Sequence, residues 1–197
     1  MGSEMCKALP GFHAYTGCDT VSAFVGRGKK TAWNAWKAFP PVTTAFISLS
    51  TPLLSLSDSV FQNLERFTCL IYSASTEQRS VDMLRKELFT IGNKRLESLP
   101  PTGEALRQHA LRAAYQSGHI WEQSHEIDPV YPSPEVWGWQ NVDGQWEPKW
   151  STLDELCKSC QELVKCRCMK GCSKACSCRK SQLKCTLLCH CQGECSE

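Results

Sequence analysis

Nine of the fourteen cysteines fall in the last thirty or so residues: Cys166-Arg167-Cys168, Cys172, Cys176-Ser177-Cys178, Cys185, Cys189-His190-Cys191 and Cys195. Thiolates are the preferred soft ligands of zinc, and a structural zinc takes four in a tetrahedron. Nine sulfurs do not divide by four. They do satisfy three ions if three of them bridge, because three tetrahedral ions need twelve ligand positions and six terminal plus three bridging sulfurs supply them. The C-x-C pairs suit such sharing, since ligands two residues apart can serve adjacent ions.

Charge supports the same reading. Lys165, Arg167, Lys170, Lys174, Arg179, Lys180 and Lys184 stand among the cysteines against Glu194 alone, while the rest of the chain has an acidic excess. Nine thiolates and three Zn²⁺ leave a net negative cluster. The basic loops neutralise it and have cation to spare for an anionic partner. Three other readings share some of these features: a disulfide framework, a metallothionein-like metal store, and a zinc knot that closes the C-terminus and binds nothing. The first requires an oxidising compartment, and no signal peptide opens the chain. The second has little use for Leu183, Leu187 and Leu188, or for a large apolar region in front. The third stays open.

The cysteine stretch resembles the Tesmin-type CXC domain, which folds around a three-zinc, nine-cysteine cluster and in several proteins binds DNA. Ala175 stands where such domains commonly carry a tyrosine for the minor groove, and the chain has one copy rather than a tandem pair. The resemblance thus implies the cluster, with sequence-specific DNA reading weakened.

Positioning these residues falls to a chain of 197 residues, 42% hydrophobic with seven tryptophans, enough for one medium domain and a small appendage. No apolar run approaches the ~20 residues needed to cross a bilayer. Thiolate metal sites without an export signal point to the nucleus or cytosol.

At the N-terminus, Gly26-Arg27-Gly28 reads as a turn between two short helices, Thr20–Val25 and Thr31–Phe39. Backbone amides at Gly26, Gly28 and Lys29, with the charges of Lys29 and Lys30, make a candidate phosphate site. A plain helix–helix turn is the alternative. Gly17-Cys18-Asp19 followed by Gly26-x-Gly28-Lys29-Lys30-x-Ala32 resembles the helix–turn–helix end of PIN-like, flap-endonuclease-type nucleases. The resemblance implies that Asp19 corresponds to a catalytic metal ligand and that the glycine turn grips a DNA backbone. Two-metal hydrolysis requires several carboxylates, and the sole acid before Asp19 is Glu4. Asp19 is therefore expected to be vestigial and the chain not to be an enzyme. The order of segments also resembles mobile-element-derived proteins in which a PIN-like end precedes helices, a Trp-Gly-Trp segment and a CXC cluster.

The middle reads as helices. Val60, Leu64, Phe67 and Ile71 share one face behind a Ser57 or Asp58 cap. Val81, Leu84, Leu88 and Ile91 form a second stripe between Ser80 and Gly92. A third helix opens after Pro100-Pro101-Thr102, with Leu106, Ala110, Ala113, Ser117 and Trp121 on one face. His109, His119 and His125 lack the spacing of a metal pair and are expected to be structural or solvated. From Asp128 to Trp150 prolines and tryptophans dominate, with Asp143-Gly144 as a hairpin signal. These tryptophans either fasten the connector to the helical core or form a base-stacking platform, and the first is preferred because basic residues do not interleave before Lys149. A last helix is expected from Ser151 or Thr152 through Val164, carrying Cys157 and Cys160, whose role is open.

The expected fold is mainly α: a helical body, a Trp/Pro-rich connector and a small irregular zinc-cluster domain. The segments expected are 1–40, 41–127, 128–150, 151–164 and 165–197. The expected function is zinc-dependent, largely sequence-blind DNA binding through Arg167, Lys170, Lys174, Arg179, Lys180 and Lys184. A nuclease fragment and a zinc-stapled protein-interaction module are the alternatives, the latter with a protein partner on the helical body. No membrane partner is expected.

Overall fold

A computed structural model describes residues 2–90 and 98–150, and in the C-terminal stretch residues 166, 168, 172, 176–180, 185 and 189–191. The chain divides into two units, Met1–Thr152 and Leu153–Glu197.

The first unit is built from helices α1 (Ser3–Tyr15), α2 (Lys29–Ala38), α3 (Val42–Leu49), α4 (Asp58–Tyr72), α5 (Val81–Thr90) and α6 (Gly103–Ala114). α6 runs on through a π-helical turn, Tyr115–Trp121, and a 3₁₀ turn, Pro134–Trp137, precedes a two-stranded hairpin. This is the mainly helical body expected. The N-cap read from the sequence at Ser57 is made, its Oγ accepting from the Val60 backbone N–H, and Thr102 Oγ1 caps α6 by accepting from that of Ala105. Leu64, Phe67 and Ile71 of α4 are buried, as are Val81, Leu84 and Leu88 of α5 and Leu106, Ala110 and Ala113 of α6. Phe46 of α3 sits at the centre, its ring edge-to-face with Phe12, Trp36 and Phe67 at 5.6, 5.1 and 5.1 Å.

The N-terminal segment departs from expectation. Ser3–Tyr15 is helical despite Pro10, and Thr20–Val25 is not. Proline inside a helix costs ~3 kcal/mol, here offset by tertiary packing. α1 lies on α3, where a Cβ at Gly11 would sit 2.2 Å from the Phe46 carbonyl oxygen, and the Gly11 N–H donates to Ser50 Oγ at 2.8 Å. Tyr15 closes the helix with its hydroxyl against Thr68 Oγ1 at 2.7 Å. The Thr20–Val25 stretch is instead pinned sideways. Thr20 Oγ1 donates to Gln116 Oε1, Ser22 Oγ lies 3.3 Å from His109 Nδ1, and Val21 and Phe24 are buried. Long-range bonds of this kind outweigh a six-residue helical pattern that has too few internal hydrogen bonds to hold itself.

The hairpin signal is realised. β1 (Trp139–Val142) pairs antiparallel with β2 (Gln145–Pro148), Val142 opposite Gln145, around Asp143 and Gly144, both at positive φ. Trp137 is buried and Trp139 packs on the core, while Trp146 and Trp150 are 44% and 64% exposed. Fastening therefore explains the first two tryptophans and not the last two. Arg112 secures the hairpin's base, its Nη1 donating to the carbonyls of Gly138 (3.0 Å) and Lys149 (2.8 Å). The helix expected over 151–164 lies outside the described residues, as do Ile91 and Gly92. Among the described residues, no helix is long and apolar enough to cross a membrane.

Candidate metal centre

In the second unit the described interior consists of cysteines. Cys166, Cys176, Cys178 and Cys189 are buried, with Cys168, Cys172, Cys185 and Cys191 packed around them. The C-x-C pairs bring this about: each turns two sulfurs in from one short stretch, and the chain returns to the same point at residues 189–191. That return is tied by backbone bonds, His190 N–H to the Cys166 carbonyl at 3.1 Å and Cys166 N–H to the Cys189 sulfur at 3.4 Å. A short helix, α7 (Ser177–Lys180), follows Cys176.

The sulfur–sulfur distances have the scale of a metal polyhedron. Sγ of Cys166 lies 3.7, 3.9 and 3.9 Å from those of Cys172, Cys185 and Cys191, and Cys172 lies 3.6 and 3.7 Å from Cys185 and Cys191. Cys178 and Cys189 are 3.6 Å apart. A disulfide would require ~2.05 Å. A tetrahedron with Zn–S bonds of ~2.3 Å has sulfur–sulfur edges of ~3.8 Å. Two four-sulfur sets converge within 4.8 Å, Cys166/Cys185/Cys189/Cys191 and Cys166/Cys172/Cys176/Cys185. They share Cys166 and Cys185, so the two sets form one pooled group. The cysteine cluster can hold metal ions.

The electrostatics of the bare sulfurs explain why a cation belongs there. Burial, then hydrogen bonding with neighbouring sulfurs, pushes the Cys168 and Cys178 thiols up to about 11, and burial raises Cys172 further. Cys176 is lowered to about 6, first by hydrogen bonding from the Arg179 backbone. Packed thiols resist becoming several adjacent anions, and divalent ions at the centre remove that cost.

Eight of the nine cysteines read from the sequence are thus brought together, and Cys195 lies outside the described residues. So do Cys157, Cys160, Arg167, Lys170, Lys174 and Lys184. Arg179 is exposed, and Lys180 lies on α7. The glycine turn of the first unit has Gly26 at φ +68° and Gly28 extended ahead of α2. Gly26, Gly28 and Lys30 are exposed. Lys29 is turned inward: its ammonium donates to the carbonyls of His13 (2.6 Å) and Gly17 (2.7 Å) and to Thr16 Oγ1 (2.7 Å). It caps the C-terminus of α1, a use of lysine that a glycine-turn pattern does not announce. Asp19 is exposed in the turn after α1, and the convergent ligand sets among the described residues are made of cysteine alone. His109 and His119 are buried, and His125 is on the surface beside Glu126. No protein-family model, no curated protein and no solved structure matches the chain.

Proposed function

We propose that the second unit is a three-zinc, nine-cysteine cluster of the CXC type and that its basic loops bind DNA through the phosphate backbone. One observation carries the reading: two four-sulfur sets share Cys166 and Cys185 at distances matching tetrahedral zinc edges. Shared sulfurs are what a pooled cluster requires and what two separate zinc sites lack. Cys195 supplies the ninth ligand. Zinc, when bound, supplies Lewis acidity that keeps all nine sulfurs as thiolates and fixes the fold of the loops. Around it Arg167, Lys170, Lys174, Arg179, Lys180 and Lys184 contact phosphates without reading sequence. Lys30, exposed beside Gly26 and Gly28, adds a weaker contact. The chain is read as non-catalytic because, among the described residues, no carboxylates converge with Asp19 to hold two ions. It acts in the nucleus and descends from a transposon-like gene, as the PIN-like and CXC segment order suggests.

Fluorescence anisotropy of the zinc-loaded chain on duplex DNA, titrated against salt, tests this. Affinity falls steeply with salt, and Lys180→Glu with Lys184→Glu weakens every duplex sequence alike. Salt-independent affinity overturns the phosphate contacts. Mg²⁺- or Mn²⁺-dependent cleavage that disappears in Asp19→Ala overturns the non-catalytic assignment.

A further inference from the structure

The first unit carries a cavity that the metal centre does not explain. It is an open cleft of about 240 Å³ between the Ser22–Val25 segment, the C-terminal end of α4, α5, the Leu99–Pro101 turn, α6 and Trp150. Phe24, Leu99 and Pro100 give it apolar walls, and Arg85, Arg112 and His109 bring its polar nitrogens. Among the described residues, no acidic side chain lines it.

Arg112 is the anomaly. It is 3% exposed, yet among the described residues no carboxylate pairs with it. Its Nη1 is used by the Gly138 and Lys149 carbonyls, and its guanidinium carbon lies 5.4 Å over the Trp150 ring. Buried charges are ordinarily paired, because removing a guanidinium from water without a counter-charge is costly. Arg85 donates to the Pro100 carbonyl from the same wall. Two guanidiniums, Arg85 and Arg112, with no carboxylate among the described lining residues make a field that selects an anion. His109 adds no further positive charge, since burial and then the charge of Arg112 lower it to about 4.

We infer that this cavity is a binding site for a small organic anion, a carboxylate or phosphate monoester head on a flat apolar body. The head pairs with Arg112 and Arg85, whose forked donors match both oxyanions. The body lies between Phe24, Pro100 and the exposed face of Trp150. At ~30 Å³ for each water-sized group, the cavity holds roughly eight heavy atoms, the size of a substituted ring. The site lies within the first unit, and its test does not depend on zinc or DNA.

NMR titration of the full zinc-loaded chain, following the His109 ring and the arginine Nε signals, uses benzoate, phenyl phosphate, neutral benzamide and inorganic phosphate. Benzoate or phenyl phosphate shifts the His109 and Arg112 signals saturably, and the stronger of the two identifies the head group. Benzamide and inorganic phosphate bind at least about tenfold more weakly, each lacking one half of the recognition. Arg85→Gln weakens binding by about tenfold, and Ala105→Leu, which fills the cavity while leaving Arg112 in place, abolishes it. These two variants stand in for Arg112→Gln, whose loss of the hairpin bonds can unfold the unit. Absence of saturable shifts at ~10 mM ligand, equal binding of benzamide or inorganic phosphate, or binding that survives Ala105→Leu each overturns the inference.

Discussion

The two units hold themselves together by different physics. In Met1–Thr152 the interior is aromatic and aliphatic, with Trp36, Tyr15, Phe46 and Phe67 all but excluded from water. Burying such side chains contributes ~1.5–3 kcal/mol each, and the helices that bury them need no further ligand. In Leu153–Glu197 the described interior is sulfur alone. Cysteines at 3.6–3.9 Å from one another bury too little apolar surface to order a chain, and as thiolates they repel. One unit is therefore stabilised by dehydration and the other, on the proposed reading, by coordination. All seven tryptophans and all four tyrosines lie at or before Trp150, so intrinsic fluorescence reports the first unit and leaves the second silent.

That contrast can be broken most forcefully with a chelator. Structural zinc contributes on the order of 10–16 kcal/mol in small cysteine-rich folds. Stripping zinc, or the double substitution Cys166→Ser with Cys185→Ser, is expected to unfold the second unit while the tryptophan-reported melting of the first stays in place. Circular dichroism read beside fluorescence checks it, and simultaneous melting of both signals would show that the units are not independent.

A core truncation tests the converse. Phe46→Ala removes a fully buried ring packed against four other aromatics and is expected to cost the first unit about 4 kcal/mol in urea unfolding. Zinc content should not change.

Acid discriminates between the units in a third way. His109 is lowered from 6.5 to about 4, chiefly by burial, so the unfolded chain takes up a proton that the folded one refuses. Its contribution is complete above pH 6.5 and lost as pH falls toward 4, on the order of 3 kcal/mol across the window. Fluorescence-detected stability should decline over that range, and His109→Gln should flatten the slope. The smallest effect sharpens the account of α1: Lys29→Met removes the cation from three oxygens at the helix end and is expected to cost about 1–2 kcal/mol.

What could be read from the sequence follows the same division. Helices α4, α5 and α6 were legible because their apolar residues recur at helical spacing, α4 behind a recognisable cap, and the cysteine cluster was legible because thiolate spacing is itself the chemistry. α1 was not: Pro10-Gly11 looks like a break, and only the contact with Phe46 and Ser50 on α3 makes it a helix. Thr20–Val25 has helical spacing at Val21 and Phe24, but its partners, Gln116 and His109, lie more than eighty residues away. Lys29 read as a free cation for phosphate because nothing local shows that the carbonyls of α1 fold back onto it. Arg112 gave no signal, since its meaning comes from the hairpin carbonyls and a cavity wall assembled from distant segments.

Native mass spectrometry of the full chain, purified under reducing conditions, tests the pooled cluster most directly. The account predicts three zinc ions per chain, lost together on chelation, because the shared sulfurs of Cys166 and Cys185 couple the sites. A mass unchanged by chelator, or ions that leave one at a time from independent sites, would contradict it.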